Sequence, residues 1–403
     1  MALLSVADAL ARVLENVGPL PAENVPIAHA AGRVLAADLA ALRSQPPAAV
    51  SAMDGYAVRA ADVASGRAEL KLIGEVAAGR PFAGSVGSGQ TAHIFTGGVL
   101  PPGADAVIVQ EQTERRGDVV IIDGTAQPGK YVRRAALDFA RGDVLLRRGR
   151  RLSARDIALA AAMNHAELPV HRRPKVAILA TGDELVPPGS APGPGQIVSA
   201  NGLTLSAFAR AEGAEARDFG IVPDRVEATV AALERMQAWG ADVLVTTGGA
   251  SVGEHDLVQK ALAAQGMALA FWKVAVRPGR PMMHGRIADT RVLGLPGNPV
   301  SAYVCAFLFL APLLRRLAGR SDLMPATESA ELAGALAAND ERQDYLRARL
   351  ERRPDGSLVA SPFPVQDSSM LAPLAAADCL IIREPYAPAA PAGSRCAILK
   401  LAF

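Results

Sequence analysis

TTGGASVGEHD at Thr246–Asp256, FWKVAVRPGRP at Phe271–Pro281 and GLPGNPVSA at Gly294–Ala302 place three glycine-rich turns close together in a 403-residue chain. Each turn follows or precedes a short apolar run, and Lys273, Arg277 and Arg280 stand between them. Glycine lets backbone amides approach a ligand closely, and cations beside such amides suit a multiply charged anion.

Outward from this stretch, strands and helices alternate. Val176–Ala180 reads as a strand ending in Thr-Gly-Asp-Glu, followed by a helix over Leu203–Ala211 and a strand over Ala216–Val222. Pro223-Asp224 opens a helix through Met236, Val243–Val245 is the next strand, and Asp256 caps a helix through Ala264. Val292–Leu295 then feeds a helix over Val300–Leu317. This alternation predicts a parallel sheet covered on both faces, a three-layer α/β domain over 171–322. Ligands collect at the carboxyl ends of such strands, where the glycine-rich turns fall.

The flanks read differently. Ser5 with Asp8 predicts a cap for a first helix over Ser5–Val17, packed beside a second helix over Ala154–Asn164. Short β-type runs separated by Gly and Pro turns fill 44–137, so a β-rich domain is inserted into a helical element formed by 1–43 and 138–170. After Met324-Pro325 the pattern alternates apolar and polar residues, predicting a C-terminal β-barrel-like domain over 325–403. The fold class is α/β plus β.

Half the residues are apolar, a fifth are charged and the formal net charge is +2, which describes a soluble globular chain of several domains. No basic tail points to nucleic acid. The apolar run at Val300–Leu314 is shorter than the ~20 residues a membrane span needs, and reads as a buried helix. The amino terminus lacks the cationic region and long apolar core of a signal peptide. Cys305, Cys379 and Cys396 are few and far apart, which predicts a cytoplasmic setting rather than a disulfide framework or zinc site.

Each motif carries two readings. The carboxylates of Asp183 and Glu184, at a strand end, suit Mg²⁺ or activation of a water; alternatively they cap a helix or fix the turn. Gly248, Gly249 and Ser251 offer amides and a hydroxyl to a phosphate while Glu254 and Asp256 face a metal, or the loop is a tight turn with Asp256 as helix cap. Lys273, Arg277 and Arg280 around Pro278-Gly279 suit an oxyanion, or are surface charges. Gly297, Asn298 and Ser301 open a long helix whose free amides suit an anion, or are ordinary capping. SAMDGYAV and FTGG in the inserted domain read, alone, as turns.

Taken in order, SAMDGYAV, FTGG, TGDEL, GIVPD, TTGGASVGEHD, FWKVAVRPGRP and GLPGNPVSA resemble the molybdopterin molybdenumtransferase family (MoeA and the E domain of gephyrin), from Ser5 to about Ile382. The resemblance implies four domains, an elongated homodimer, and Mg²⁺-dependent reaction of adenylylated molybdopterin with molybdate, releasing AMP. It implies a cleft between the α/β domain of one subunit and the inserted domain of the other. Asp54, Thr96, Arg133 and Asp138 would come from the inserted domain and its edge. Glu184, Asp224, Asp256, Lys273, Arg277 and Ser368 would come from elsewhere, with Asp183 assisting hydrolysis of the adenylate. Asp183, Glu184 and Asp256 suit Mg²⁺, Gly248–Ser251 and Gly297–Ser301 the phosphates, and Lys273, Arg277 and Ser301 molybdate, with Arg280 beside them. Other molybdenum-cofactor biosynthesis proteins are expected partners. Two departures stand out: Arg134-Ala135-Ala136-Leu137 replaces a Gly-Glu pair many relatives carry before Asp138, and arginines at 277 and 280 replace lysines. A receptor-tail scaffold and the upstream adenylyltransferase are the competing readings.

Overall fold

The computed structural model describes residues 3–248 and 257–401. Its centre is a six-stranded sheet in the order Glu215–Val222, Lys175–Thr181, Val243–Thr247, Thr290–Leu295, Met283–Ile287, Ala268–Trp272. The first four strands are parallel, as the βα alternation predicts; Met283–Ile287 runs antiparallel to them, and Ala268–Trp272 pairs antiparallel with it to finish the edge. Strands Lys175–Thr181 and Val243–Thr247 are apolar nearly throughout because helices cover both faces. One face packs on Leu205, Phe208 and the long helix; the other packs on Leu233, Met236, Val258 and Leu262.

The long helix is Pro299–Cys305, a π-helical segment Ala306–Leu310, and Ala311–Leu317. Pro312 has no N–H to give the carbonyl one turn back, and the ladder widens there to the bond from Ala311 N to Ala306 O. Among the described residues this is the one helix long and apolar enough to cross a membrane, and 89% of its apolar window is buried inside the protein. It is the core helix of the α/β unit.

The first helix, Val6–Leu14, is capped by the Ser5 hydroxyl accepting from Asp8 N at 3.0 Å. It does not pack beside the helix Ala154–Ala162. Its Ala9 and Val13 enter the core formed with Phe309, Leu313 and Leu314, whereas Ala160 and Met163 belong to a separate core with Leu35, Leu146 and Leu168. The small apolar stripe on the first helix fits the broad surface of the long helix, and nothing in its local pattern specified which surface that would be.

A second six-stranded sheet is built between Gly55 and Asp123, around Tyr56, Ile108 and Ile122. The chain enters and leaves it side by side, with Gln45 N bonded to Phe139 O at 2.9 Å and Asp138 N to Gln45 O at 2.9 Å. In the C-terminal part, Gln343–Arg352, Leu358–Pro362, Thr327–Leu332, Arg395–Lys400 and Cys379–Arg383 pair in a ring that closes back on Gln343–Arg352. Closure pairs the strands around the ring and leaves an edge at the start of Gln343–Arg352. One further pairing matters for the site: Val276–Arg277 adds in parallel to the barrel strand Gln343–Arg352.

Candidate active site

Three strand ends of the central sheet meet in one place. At the first, Gly182 takes φ +155, and a Cβ there would lie 2.6 Å from a Glu184 carboxylate oxygen. Asp183 Oδ1 accepts from Asp224 N at 3.1 Å. Burial, and then the negative charges of Asp183 and Glu184, raise the Asp224 carboxyl above the usual carboxylate range. At the second strand end, Gly248 takes φ +87, and a Cβ would sit 2.3 Å from Thr181 O. Only glycine permits that approach. At the third, a Cβ on Gly297 would meet Gly248 Cα at 3.5 Å, so the last two turns touch through backbone.

These turns surround a cavity of about 380 Å³ lined by Thr181, Glu184, Asn201, Gly248, Gly297 and Asn298, with Leu185, Ile197, Val198 and Leu371 as its apolar wall. Asn201 Nδ2 donates to Gly297 O at 2.7 Å and fixes the third turn. Thr181 Oγ1 is buried in the wall with no partner among the described residues. Glycine backbone at Gly248 and Gly297, a few polar groups and an apolar wall suit a flat heterocycle carrying phosphates.

A second cavity of about 390 Å³ lies on the other side of Asn298, lined by Arg277, Arg280, Ser301, Arg342 and Ser368 among others. Asn298 Nδ2 donates to Ser368 Oγ at 2.8 Å, and Val300 N to Ser368 O at 3.1 Å. Gly279 takes φ +125 where a Cβ would meet Cys305 Sγ at 2.4 Å, so the basic turn lies directly on the long helix. Burial pushes the Cys305 thiol up to about 12 and keeps it protonated. Lys273 precedes this turn with φ +81, and its ammonium lies 5.1 Å from the Trp272 ring centre. A lysine held left-handed marks a backbone over-determined by its surroundings.

The structure thus brings Glu184, Gly248, Gly297 and Asn298 to one cavity and Arg277, Arg280, Asn298, Ser301 and Ser368 to the next. Asp183, Asp224 and Lys273 stand on the adjoining turns but line neither. Gly249, Ser251 and Asp256, with Glu254, lie outside the described residues. Arg277 is not a free cation: its guanidinium is bonded to Asp344, Asn339 and Asp340.

Asp54, Thr96, Arg133 and Asp138 are elsewhere, all exposed, and line neither cavity. Asp54 Oδ1 accepts from Thr96 N at 2.7 Å, and that backbone hydrogen bond holds its carboxyl below the usual range. Arg133 pairs with Val50, one residue from Ser51, whose carbonyl accepts from Gly97 N at 2.9 Å. The turn before Asp138 keeps a left-handed residue without glycine: Ala136 takes φ +56 and gives its N–H to Pro46 O at 2.9 Å.

Arg342, Asn201 and Thr181 are site residues that the motif reading missed. Arg342 sits in the C-terminal part in an unremarkable charged run, and only the pairing of Val276 with Gln343 brings it to the basic turn.

Fold and site together define a three-layer α/β protein with two adjoining cavities at its strand ends and a barrel closing one side of them. Three family models match: "MoeA N-terminal region (domain I and II)" over 4–164, "Probable molybdopterin binding domain" over 177–316 and "MoeA C-terminal region (domain IV)" over 329–401. A molybdopterin molybdenumtransferase from Nostoc sp. is 39% identical over 304 residues, 74% of this chain and 70% of that one. One from Haemophilus influenzae is 33% identical over 385 residues, 95% of each chain. A solved molybdopterin biosynthesis MoeA protein from Pyrococcus horikoshii superposes with a TM-score of 0.87 at 31% identity, covering 100% of both chains. The chain belongs to the molybdopterin molybdenumtransferase (MoeA) family.

Proposed function

We propose that this protein transfers molybdenum from molybdate to adenylylated molybdopterin, with release of AMP. The observation that carries this reading is the pair of adjoining cavities sharing Asn298, one lined by strand-end glycines and apolar side chains, the other by arginines and hydroxyls. The first cavity suits the pterin and its phosphoanhydride; the second suits a tetrahedral dianion. Gly248 and Gly297 give backbone close to the phosphates, Asn201 holds the Gly297 turn, and Ser301, Ser368, Arg280 and Arg342 face the oxyanion. Their placement at one partition sets the dithiolene sulfurs beside the metal they receive, so that positioning and electrostatics supply most of the acceleration. No covalent enzyme intermediate is required.

Asp183, Glu184 and Asp224 are hard oxygen donors on adjoining turns, and burial first, then the charges of Asp183 and Glu184, raise the Asp224 carboxyl; one or two of these carboxylates would bind a divalent cation such as Mg²⁺. Among the described residues no group of three or more His, Cys, Asp or Glu is placed to hold a metal ion by itself. Such an ion would keep waters and take oxygens from substrate, with Asp256 as a further candidate ligand. When bound, Mg²⁺ supplies charge stabilisation on the departing phosphate. Asp183 orients the water that opens the anhydride.

The inserted-domain set completes the cleft of a second copy: Asp54, Thr96, Arg133 and Asp138 are exposed and line neither of this chain's cavities, which supports a homodimer with composite sites. We assign 1–43 with 138–170, 44–137, 171–322 and 325–403 as the four domains, and place the reaction in the cytoplasm. Two variants test the assignment. Asp183→Ala retains bound adenylate uncleaved, whereas Lys273→Ala needs more molybdate for the same rate. Normal turnover by both variants removes the residue assignments.

A further inference from the structure

Arg277 and Arg342 line the second cavity, yet carboxylates on the barrel edge already hold both. One terminal nitrogen of Arg277 donates to Asp344 Oδ2 and to Asn339 Oδ1 at 3.0 Å; the other reaches Asp340 Oδ2 at 3.3 Å. Asp340 also accepts from Arg342 N at 2.9 Å, from its Nε at 3.2 Å and from its terminal nitrogen at 2.5 Å. Arg280, by contrast, has no ion-pair partner among the described residues.

Asp344 is the unusual member of this group. It is 3% exposed, and its Oδ1 has no hydrogen-bond partner among the described residues. Burial raises its carboxyl while the Arg277 guanidinium opposes the rise. A buried carboxylate with an orphaned oxygen is costly, and an apolar or amide side chain in its place is often more stable. Its register opposite Arg277 suggests what the cost serves.

We propose that Asp344, assisted by Asp340, is a built-in competitor for Arg277: it parks the guanidinium at the barrel edge, so an entering oxyanion must draw the arginine away. Asp344 thereby sets the molybdate concentration at which the cavity fills. It also favours dianions over monoanions, because a doubly charged oxyanion attracts the guanidinium about twice as strongly as a carboxylate at equal distance. Asp344 touches no substrate and is a positioning residue. The inference rests on the second cavity being the oxyanion site.

The test is calorimetric binding of molybdate and nitrate to the full chain, with molybdate KM and kcat for AMP release. Asp344→Asn is expected to bind molybdate about tenfold tighter, to lower KM with little change in kcat, and to narrow the preference for molybdate over nitrate. A merely structural role predicts lower stability and equal or weaker binding. Asp340→Asn, at a 36% exposed side chain, is expected to shift binding the same way by less, and serves if the buried variant folds poorly. Neither asparagine variant binding more tightly, while Arg280→Ala weakens binding, overturns the inference and leaves the cavity assignment standing. If Arg280→Ala and Arg342→Ala also bind molybdate unchanged, the cavity assignment fails and the inference falls with it.

Discussion

Asn298 and Ser368 form the partition between the two cavities: Asn298 Nδ2 donates to Ser368 Oγ at 2.8 Å, and Asn298 faces both spaces. Ser368→Ala should raise the molybdate requirement with little effect on adenylate binding. Asn298→Ala should weaken both. Residues in one hydrogen bond couple, so the double variant should fall short of additivity by about 1 kcal/mol. Additive losses across molybdate titrations would separate the two residues functionally.

Gly248 tests the close packing of the turns. With φ +87 and a virtual Cβ 2.3 Å from Thr181 O, Gly248→Ala must shift backbone. We expect a loss of about 1–3 kcal/mol of stability and of most adenylate affinity, read by thermal melting and equilibrium binding.

Asp224 gives a pH signature. Its folded-state pKa is raised, first by burial and then by Asp183 and Glu184. A carboxyl raised on folding contributes stability that is present below its unfolded pKa and is lost as pH rises through the folded value. Asp224→Asn should therefore melt higher than the parent at neutral pH, with the gap closing at acidic pH below the ordinary Asp value. Mg²⁺ should raise the parent's melting temperature more than the variant's. A gap independent of pH would show that the crowding is relieved in solution.

The proposed composite cleft predicts complementation. Asp54→Ala and Asp183→Ala should each be nearly inactive alone, since each removes one half of every site. After subunit exchange, half the dimers are mixed and each carries one intact site, so about a quarter of the parent activity should return. No recovery, with exchange confirmed by mass, would place the whole site within one chain.

Glu212 is 4% exposed and bonded to Arg315 at 2.6 Å and Arg320 at 3.0 Å, tying the end of the helix Asn201–Ala211 to the end of the long helix. Removing one partner of a buried ionic cluster leaves uncompensated charge, so Glu212→Gln should cost about 3 kcal/mol of stability by denaturant unfolding.

Much of the α/β unit was legible because buried strands read as apolar runs and two of the central ones run directly into a glycine whose φ and close contact the structure explains, Gly182 and Gly248. The amide turns could be read for the same reason. What stayed hidden depends on contacts between distant parts of the chain. The first helix carries an amphipathic stripe that fits several surfaces, and its true partner is the long helix. Arg277 reads as a free cation, but a parallel pairing with a strand more than sixty residues on brings Asp344 beside it. That same pairing places Arg342 at the cavity, and no spacing rule links it to the basic turn.

Molybdate-dependent AMP release from adenylylated molybdopterin, measured with the purified protein and Mg²⁺, tests the central claim most directly. The account predicts that AMP appears only when molybdate is present, and that Arg280→Ala and Ser368→Ala raise the molybdate needed. AMP release that ignores molybdate, or ATP consumption with accumulation of the adenylylated compound, would contradict it.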